Sequence, residues 1–421
     1  MLALLKKLTL IAVVLIQSAA IHAQEEVNYD ESKIPPYVLP ELLTSRNGTK
    51  ITSGAEWEKI RRPELFSLYE NQVFGQSPAR PKQLRFKILT EDIRALDGLA
   101  TRKEVVMYFT EENTRYVTVL MYLPNKREKP VPVFLGLNFK GNHSVSTDPG
   151  ITITETCLKQ GNKMHPRGSE AARWPIEMLL ENGYGVVTVQ NSDIEPDKDT
   201  GFREGLHPLF YAPGQTAPRP DEWGTLAAWS FGLSCIMDYL VTDKDVDSQK
   251  VAVIGHSRNG KAALWAGAMD TRFAIVISND SGCGGAALFR RRIGETVRVV
   301  NKMFPHWFCA NFRQYNDKED ELPVDQHALI ALIAPRPVYV ASAEGDRWAD
   351  PKGEFLSTVY ASPVYELYGL QGMSVREMPE LNMPVTDGHI GYHIRPGEHN
   401  IKLYDWQQYV RFADKFFKKT K

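Results

Sequence analysis

The strongest chemical signal in the sequence is a serine between an apolar run and a helix-like run of small residues. The segment reads Val251-Ala-Val-Ile-Gly-His-Ser-Arg-Asn-Gly-Lys-Ala-Ala-Leu-Trp-Ala, so Ser257 would lie on the turn. A strand, a strained serine turn and a helix together indicate a nucleophile elbow. The motif is imperfect because its second glycine falls one place late, at Gly260. A plain turn serine is the alternative interpretation.

The residue after this serine would begin the helix. Backbone N–H groups in the first turn, together with the helix dipole, favour developing negative charge. We therefore expect the amide of Arg258 to stabilise an oxyanion formed next to Ser257.

A serine nucleophile needs a base, and the base needs an acid that orients it. In α/β-hydrolases these groups follow one another as serine, acid and histidine. The histidines that follow the serine are His306, His327, His389, His393 and His399. His399 is favoured because it lies in the loop-like Arg395-Pro-Gly-Glu-His-Asn, directly before a C-terminal helix predicted over residues 404–417. His389 and His393 remain alternatives.

Two aspartates are candidates for the acid. Asp346 follows a predicted strand over residues 337–343, the usual place for the acid of such a triad. Asp280 follows the preceding predicted strand, over residues 273–278. Either carboxylate could instead cap a turn or a helix, so the choice stays open at this point.

The elements that must position these residues are short apolar runs alternating with helical segments. Buried strands are predicted over residues 132–138, 185–190, 250–255, 273–278 and 337–343. Helices are predicted over 171–182 and 222–241, the second of them long and amphipathic. Continuous β-branched runs of this kind are typical of strands buried on both faces of a parallel sheet. Two further β-like runs, 83–89 and 115–124, precede them, and the second is predicted to be an edge hairpin strand. The sequence thus predicts an α/β fold, a three-layer sandwich of the α/β-hydrolase type around a mostly parallel central sheet.

Composition excludes several classes of protein. The chain has 421 residues, of which 43% are hydrophobic and 24% charged, and its formal net charge is -1. These are globular proportions. A balanced charge lacks the basic patch of a nucleic-acid-binding protein, so no nucleic-acid partner is expected.

The N-terminus has the pattern of an export signal. Lys6 and Lys7 precede an apolar stretch over residues 8–16 that is too short to span a bilayer, and Ala23 fits a cleavage site. We expect a signal peptide over 1–23 and one catalytic domain over 24–421 that begins with an extended segment. The mature protein would be periplasmic or secreted and not membrane-bound. Its four cysteines, Cys157, Cys235, Cys283 and Cys309, are too few to frame the fold, and whether Cys283 and Cys309 pair is open.

Five segments together resemble the glucuronoyl esterases of carbohydrate esterase family 15, in particular their bacterial branch. They are Leu137-Asn-Phe-Lys-Gly-Asn-His, Trp223-Gly-Thr-Leu-Ala-Ala-Trp, Gly255-His-Ser-Arg-Asn-Gly-Lys, Ser278-Asn-Asp-Ser-Gly-Cys-Gly-Gly-Ala-Ala and Phe304-Pro-His-Trp-Phe. The similarity runs from about residue 131 to the C-terminal helix. Such enzymes cleave the ester between 4-O-methyl-glucuronic acid on xylan and lignin alcohols.

The resemblance implies a serine esterase that needs no cofactor and no metal. By position it assigns Ser257 as nucleophile and His399 as base, with the Arg258 side chain adding to its amide at the oxyanion. It assigns the sugar side of the site to Lys261, which would bond hydroxyl groups, to Trp348, which would line the glucuronate pocket, and to Glu295. The expected partner is a glucuronoxylan or lignin–carbohydrate ester, and we expect a monomer.

The sequence departs from the family pattern at two positions. Members often carry Glu where Asp280 stands, and the shorter side chain favours Asp346 as the triad acid, with a shared role still open. Fungal members have a disulfide-bonded Cys next to the nucleophile, where this chain has His256. Alternatives on the same fold are an acetyl xylan esterase, a feruloyl esterase or a catalytically inactive carbohydrate-binding protein.

Overall fold

A nine-stranded sheet lies at the centre of the computed structural model, which describes residues 27–82, 84–111, 115–126, 130–154 and 164–418. The predicted signal peptide and Cys157 lie outside these residues. In chain order the strands are β1 (Arg85–Ala95), β2 (Ala100–Tyr108), β3 (Tyr116–Pro124), β4 (Val131–Asn138), β5 (Gly185–Gln190), β6 (Val246–His256), β7 (Ile275–Asn279), β8 (Val338–Ala343) and β9 (Ile390–Arg395).

The strands are ordered β1-β2-β3-β5-β4-β6-β7-β8-β9 across the sheet. The pairs from β1 to β5 are antiparallel, and all pairs from β5 to β9 are parallel. The predicted α/β class with a mostly parallel sheet is confirmed.

The prediction that residues 115–124 form an edge strand is wrong, because β3 pairs with β2 on one side and β5 on the other. The sequence reading missed β2, whose centre is the charged run Arg102-Lys-Glu. These side chains are buried because they are paired: Lys103 Nζ lies 2.9 Å from Asp243 Oδ2, and Arg102 Nη1 lies 2.6 Å from Asp148 Oδ2.

Helices cover both faces of the sheet. The α-helices of six residues or more in the described chain are α1 (Arg62–Gln72), α2 (Ile176–Glu181), α3 (Thr225–Leu240), α4 (Arg258–Met269), α5 (Val297–Met303), α6 (Gln326–Ala331), α7 (Pro351–Glu366) and α8 (Leu403–Phe417). One core cluster joins α1, α3, α4, α6 and α7 to one face, and a second joins α2 and α8 to the other. Along β6, Val251 and Val253 belong to the first cluster while Ala252 and Ile254 belong to the second, as strand alternation requires.

Two predicted elements differ from the structure. The helix expected over 222–241 is α3, which is buried on all sides apart from Asp238 and is therefore not amphipathic. The helix expected over 171–182 consists of a 3-10 turn, Ala171–Arg173, followed by α2. The strand β9, which carries His393, was not recognised.

The described part of the N-terminal segment runs over the surface of the domain before α1. Its backbone oxygens form hydrogen bonds with distant elements. For example, the carbonyl oxygen of Pro40 lies 3.0 Å from Nε2 of His327 on α6. Cys235, Cys283 and Cys309 are buried free thiols, so Cys283 and Cys309 do not pair. Among the described helices, none combines the length and apolar character needed to cross a membrane.

The parallel order reverses around β4, since β5 lies on one side of it and β6 on the other. In open α/β sheets the ligand crevice forms beyond the carboxyl ends of the strands at such a point. Ser257, Asp280, Asp346 and His399 all follow the carboxyl ends of parallel strands, so the topology gathers them at one edge.

Trp265 on α4 joins the first core cluster to the N-terminal helix. Its ring stacks on Phe66 at 5.0 Å and on Phe74 at 4.6 Å between centroids. We expect Trp265→Ala to lower the free energy of unfolding by about 3–5 kcal/mol, because it leaves a large cavity. Urea denaturation followed by circular dichroism measures this. Met303→Ala, at an exposed side chain on α5, is the control; equal midpoints for the two variants would contradict the prediction.

Candidate active site

The turn that carries Ser257 is strained in the way a nucleophile elbow requires. Ser257 lies between β6 and α4 with φ 59° and ψ -132°, a conformation that costs a non-glycine residue energy. The strand ends in glycine for a steric reason, because a Cβ at Gly255 would lie 1.9 Å from the carbonyl oxygen of Asn259. The side chain of Ser257 is half-buried at the carboxyl edge of the sheet.

His399 and Asp346 form a hydrogen-bonded pair at the same edge. His399 Nδ1 lies 2.5 Å from Asp346 Oδ2. The aspartate is buried, whereas the imidazole is 41% exposed and so accessible from solvent. A buried carboxylate on Nδ1 fixes the ring orientation and leaves Nε2 available for a substrate-side proton.

Asp280 lies near this pair but has different hydrogen-bond partners. Its Oδ2 accepts hydrogen bonds from Arg395 Nη2 at 3.4 Å and from the Asn400 amide at 3.2 Å. Burial, followed by the charges of neighbouring carboxylates, raises the pKa of Asp280 well above its usual range. Asp280 is therefore hydrogen-bonded to the loop that carries His399, and not to the His399 imidazole.

One oxygen of Asp280, one of Asp346 and one nitrogen of His399 lie within 4.8 Å of one another. Such a donor set has the right atom types for a divalent cation. The guanidinium of Arg395 already supplies a positive charge beside these donors, and Asp346 is engaged by His399. The arrangement fits a charge-compensated triad better than a metal centre.

The guanidinium of Arg258 is held between a carboxylate and two aromatic rings. Arg258 Nη1 lies 2.5 Å from Asp197 Oδ2, and its guanidinium lies 4.6 Å from the Trp307 ring centroid and 5.1 Å from that of Phe304. Burial opposes ionisation of Asp197, but hydrogen bonding from His306 and the charge of Arg258 lower its pKa. The positive charge is thus fixed close to the turn that carries the serine.

Lys261 is a buried cation rather than a solvated lysine of the first helical turn. Its Nζ lies 2.6 Å from Glu295 Oε2 and donates to the carbonyl oxygen of Cys283. Trp348 is half-buried, and its carbonyl oxygen accepts a 2.9 Å hydrogen bond from the Glu295 amide. The structure therefore brings together the three residues expected to form the sugar side of the site.

The alternative histidines lie elsewhere. His393 is fully buried in β9, between the hydroxyl of Tyr339 at 2.9 Å and Asp405 at 2.8 Å. His389 directly precedes β9, at the end of the strand away from His399, and packs against Phe416.

Several residues at the site were not singled out from the sequence. The ring of His256 packs against that of His399, with centroids 4.5 Å apart and planes tilted by 39°. Burial, followed by the charge of His399, lowers the pKa of His256 well below the usual value, so it stays neutral. Asp197, Arg395 and Glu354 lie in ordinary-looking polar segments. The signal available for Arg395 was a charged residue at the end of an apolar run, in the Ile-Arg that closes β9.

Glu354 on α7 is a buried carboxylate behind the two candidate acids. It accepts hydrogen bonds from the amides of Ser281 and Gly282 at 2.7 and 3.0 Å and from the Ser342 hydroxyl at 2.6 Å. Burial raises its pKa to about 7, although the bonds from Ser342 and Gly282 oppose this. One side chain thus links the loop after β7 to strand β8.

This chain is similar to several known esterases in sequence and in structure. A family model described as "Glucuronyl esterase, fungi" matches residues 168–369. The carbohydrate esterase MZ0003, from an unknown prokaryotic organism, is 50% identical over 397 residues, which cover 92% of this chain and 91% of that protein. A 4-O-methyl-glucuronoyl methylesterase of Phanerochaete carnosa is 34% identical over 348 residues, covering 79% of this chain and 72% of that protein. The solved glucuronoyl esterase from Solibacter usitatus superposes with a TM-score of 0.88 at 48% identity, covering 92% of this chain and all of that one.

The raised pKa of Glu354 predicts a pH dependence of stability. In the unfolded chain the carboxyl loses its proton around its ordinary pKa of 4.5, whereas in the folded state it keeps the proton up to a pKa of about 7. The free energy of unfolding therefore falls as pH rises from about 4.5 to about 7. We expect the free energy of unfolding of Glu354→Gln to fall less than that of the wild type between about pH 5 and pH 8, by up to about 3 kcal/mol. Urea titrations at both pH values measure this, with Glu366→Gln, exposed at the end of α7, as control. Parallel curves for wild type and Glu354→Gln would contradict the prediction.

Proposed function

The chain belongs to the glucuronoyl esterases of carbohydrate esterase family 15, and from this premise we propose that it hydrolyses esters of 4-O-methyl-glucuronic acid. The ester would join glucuronoxylan to a lignin alcohol, and Ser257 would form the acyl-enzyme. The observation that carries the proposal is the hydrogen-bonded His399–Asp346 pair at the edge of the sheet where the strained Ser257 turn lies.

The proposed reaction proceeds by two proton transfers through His399. Asp346 engages Nδ1, so Nε2 accepts the proton of Ser257 as its oxygen bonds to the ester carbonyl carbon. The carbonyl oxygen becomes an oxyanion beside the amide and guanidinium of Arg258. His399 then gives the proton to the departing alcohol. The same two transfers repeat in deacylation, where His399 takes a proton from the attacking water and returns it to Ser257 as the uronic acid leaves.

The sugar side of the proposed site is built from Lys261, Glu295 and Trp348. Lys261 and Glu295 are buried partners with the donor and acceptor atoms that sugar hydroxyls require. The half-buried indole of Trp348 offers an apolar face to the pyranose ring. A site of this kind selects the uronate and leaves the alcohol less constrained.

We also propose that the chain is exported, processed after Ala23 and active as a monomer on a glucuronoxylan-derived ester. Lys6 and Lys7 before the apolar stretch 8–16 support export. Mass spectrometry of the protein secreted by an expressing bacterium would identify the mature N-terminus.

Hydrolysis of benzyl glucuronate and of acetylated xylan by wild type and Ser257→Ala tests the function. We expect activity of the wild type on the uronate ester alone and a loss of about 10⁶-fold in the variant, because the nucleophile is removed. Acetyl release alone would replace the proposal with an acetyl esterase. Inactivity of a folded wild type on both, without labelling by a serine-directed phosphonate, would favour a binding protein.

Single substitutions of each aspartate by asparagine distinguish the roles of Asp346 and Asp280. We expect Asp346→Asn to lower kcat on benzyl glucuronate by about 10⁴-fold, since Asn no longer stabilises the imidazolium that forms. Asp280→Asn should cost much less, because Asp280 bonds Arg395 and Asn400 instead. Circular dichroism checks that both variants fold. Near wild-type rates in both single variants, with collapse in the double variant, would show instead that the two acids are redundant.

A further inference from the structure

The two loops on the sugar side of the site pack backbone against backbone. The Glu295 amide donates to the carbonyl oxygen of Trp348, and Gly294 has φ +59° with no room for a side chain. A Cβ at Gly294 would lie 2.3 Å from the Trp348 carbonyl oxygen. The position of Glu295 therefore depends on how these two loops are held together.

A short surface segment, residues 28–31, lies across both loops and is called the strap here. The Gly294 amide donates to the carbonyl oxygen of Asn28 at 2.9 Å. On the other loop, Arg347 donates to the carbonyl oxygen of Tyr29, and its guanidinium lies 5.1 Å from the centroid of the Tyr29 ring. Arg347 is the residue directly before Trp348. The strap thus contacts the immediate neighbours of both sugar-side residues.

Glu31 anchors the strap to a buried cation. The Glu31 carboxylate pairs with Arg291 and, at 3.0 Å, with Lys352. Arg291 is buried, and its Nε lies 2.8 Å from Asp350, which caps the N-terminus of α7. Burial opposes ionisation of Glu31, but hydrogen bonding from Lys352 and the charge of Arg291 lower its pKa. Both ends of the Trp348 loop are thereby linked to the strap.

We propose that the strap is a positioning element for uronate recognition. It fixes the loop of Glu295 and the loop of Trp348 relative to each other. The inference rests on the proposed function, because that function assigns these two residues to the sugar. Arg347 also directly follows Asp346, but Asp346 is held without the strap: its amide donates to the carbonyl oxygen of Ala343 at 3.1 Å and its carboxylate is hydrogen-bonded to His399. We therefore expect the strap to act on binding of the uronate and not on acyl transfer in general.

The test compares a uronate ester with an ester that lacks the sugar. For Tyr29→Ala/Glu31→Gln we expect KM for benzyl glucuronate to rise about tenfold. The rate on 4-nitrophenyl acetate, an activated ester whose good leaving group lets it report acyl transfer without sugar recognition, should stay within about twofold of the wild type. The single variant Tyr29→Phe, with Glu31 unchanged, keeps the aromatic ring under Arg347 and should have the wild-type KM. Glu41→Gln is the matched control, since it breaks an exposed ion pair with Lys50 in the same N-terminal segment.

Hydrogen exchange gives a readout that does not depend on activity. In the double variant the amides of residues 294 and 295 should exchange faster, while those in Glu41→Gln should not. An unchanged KM, or equal losses on both esters with a lowered melting temperature, would overturn the inference. If the wild type fails to cleave benzyl glucuronate while these amides still respond, the proposed function fails and the strap retains only a structural role.

Discussion

The buried guanidinium of Arg395 is the interaction on which the catalytic edge depends. It lies 2.9 Å from both carboxylate oxygens of Asp405 and 3.4 Å from Asp280, and it donates to the carbonyl oxygen of Asn400. A buried charge is tolerated only when its hydrogen bonds are satisfied. Meeting that requirement fixes the end of β9, the start of α8 and the loop between them. His399 lies in that loop, between Glu398 and Asn400, whose carbonyl oxygens both accept hydrogen bonds from Arg395, so its position follows from the hydrogen bonding of this cation.

The acids behind His399 outnumber the cations around them. Burial, followed by the charges of Glu354 and Asp346, raises the pKa of Asp280, and burial together with the charge of Asp346 raises the pKa of Glu354, while Arg395 pairs with Asp280. The three are distinguished by their hydrogen bonds. Glu354 accepts hydrogen bonds from backbone amides and a serine hydroxyl, and Asp280 accepts them from Arg395 and the Asn400 amide. Of the three, Asp346 is the one hydrogen-bonded to the imidazole. Similar side chains in one region therefore have different chemical roles.

Two cations near the serine are held in a similar way on the opposite side. Arg258 pairs with Asp197 and Lys261 with Glu295, and both lie over the ring of Trp307, at 4.6 and 5.5 Å. Carboxylate partners fix where each positive charge lies, and the face of the aromatic ring attracts both cations. The edge of the sheet that carries Ser257 thus combines a group of carboxyl side chains around His399 with two cations that are each paired with a carboxylate.

The sequence by itself determined the parallel sheet, the elbow at Ser257 and the order of the triad candidates, because strand runs, glycine spacing and chain order are local properties. It did not determine β2, whose charged side chains read as exposed until their partners from distant segments are known. The residues alone left the choice between Asp280 and Asp346 open, since both follow strands in the same way, and only the family resemblance favoured Asp346. The tertiary structure decided between their contacts, and it alone revealed Glu354 and Arg395. Burial and contacts with distant segments, such as that of Arg395 with Asp280 across 115 residues, set the positions of these groups, and no local pattern encodes them.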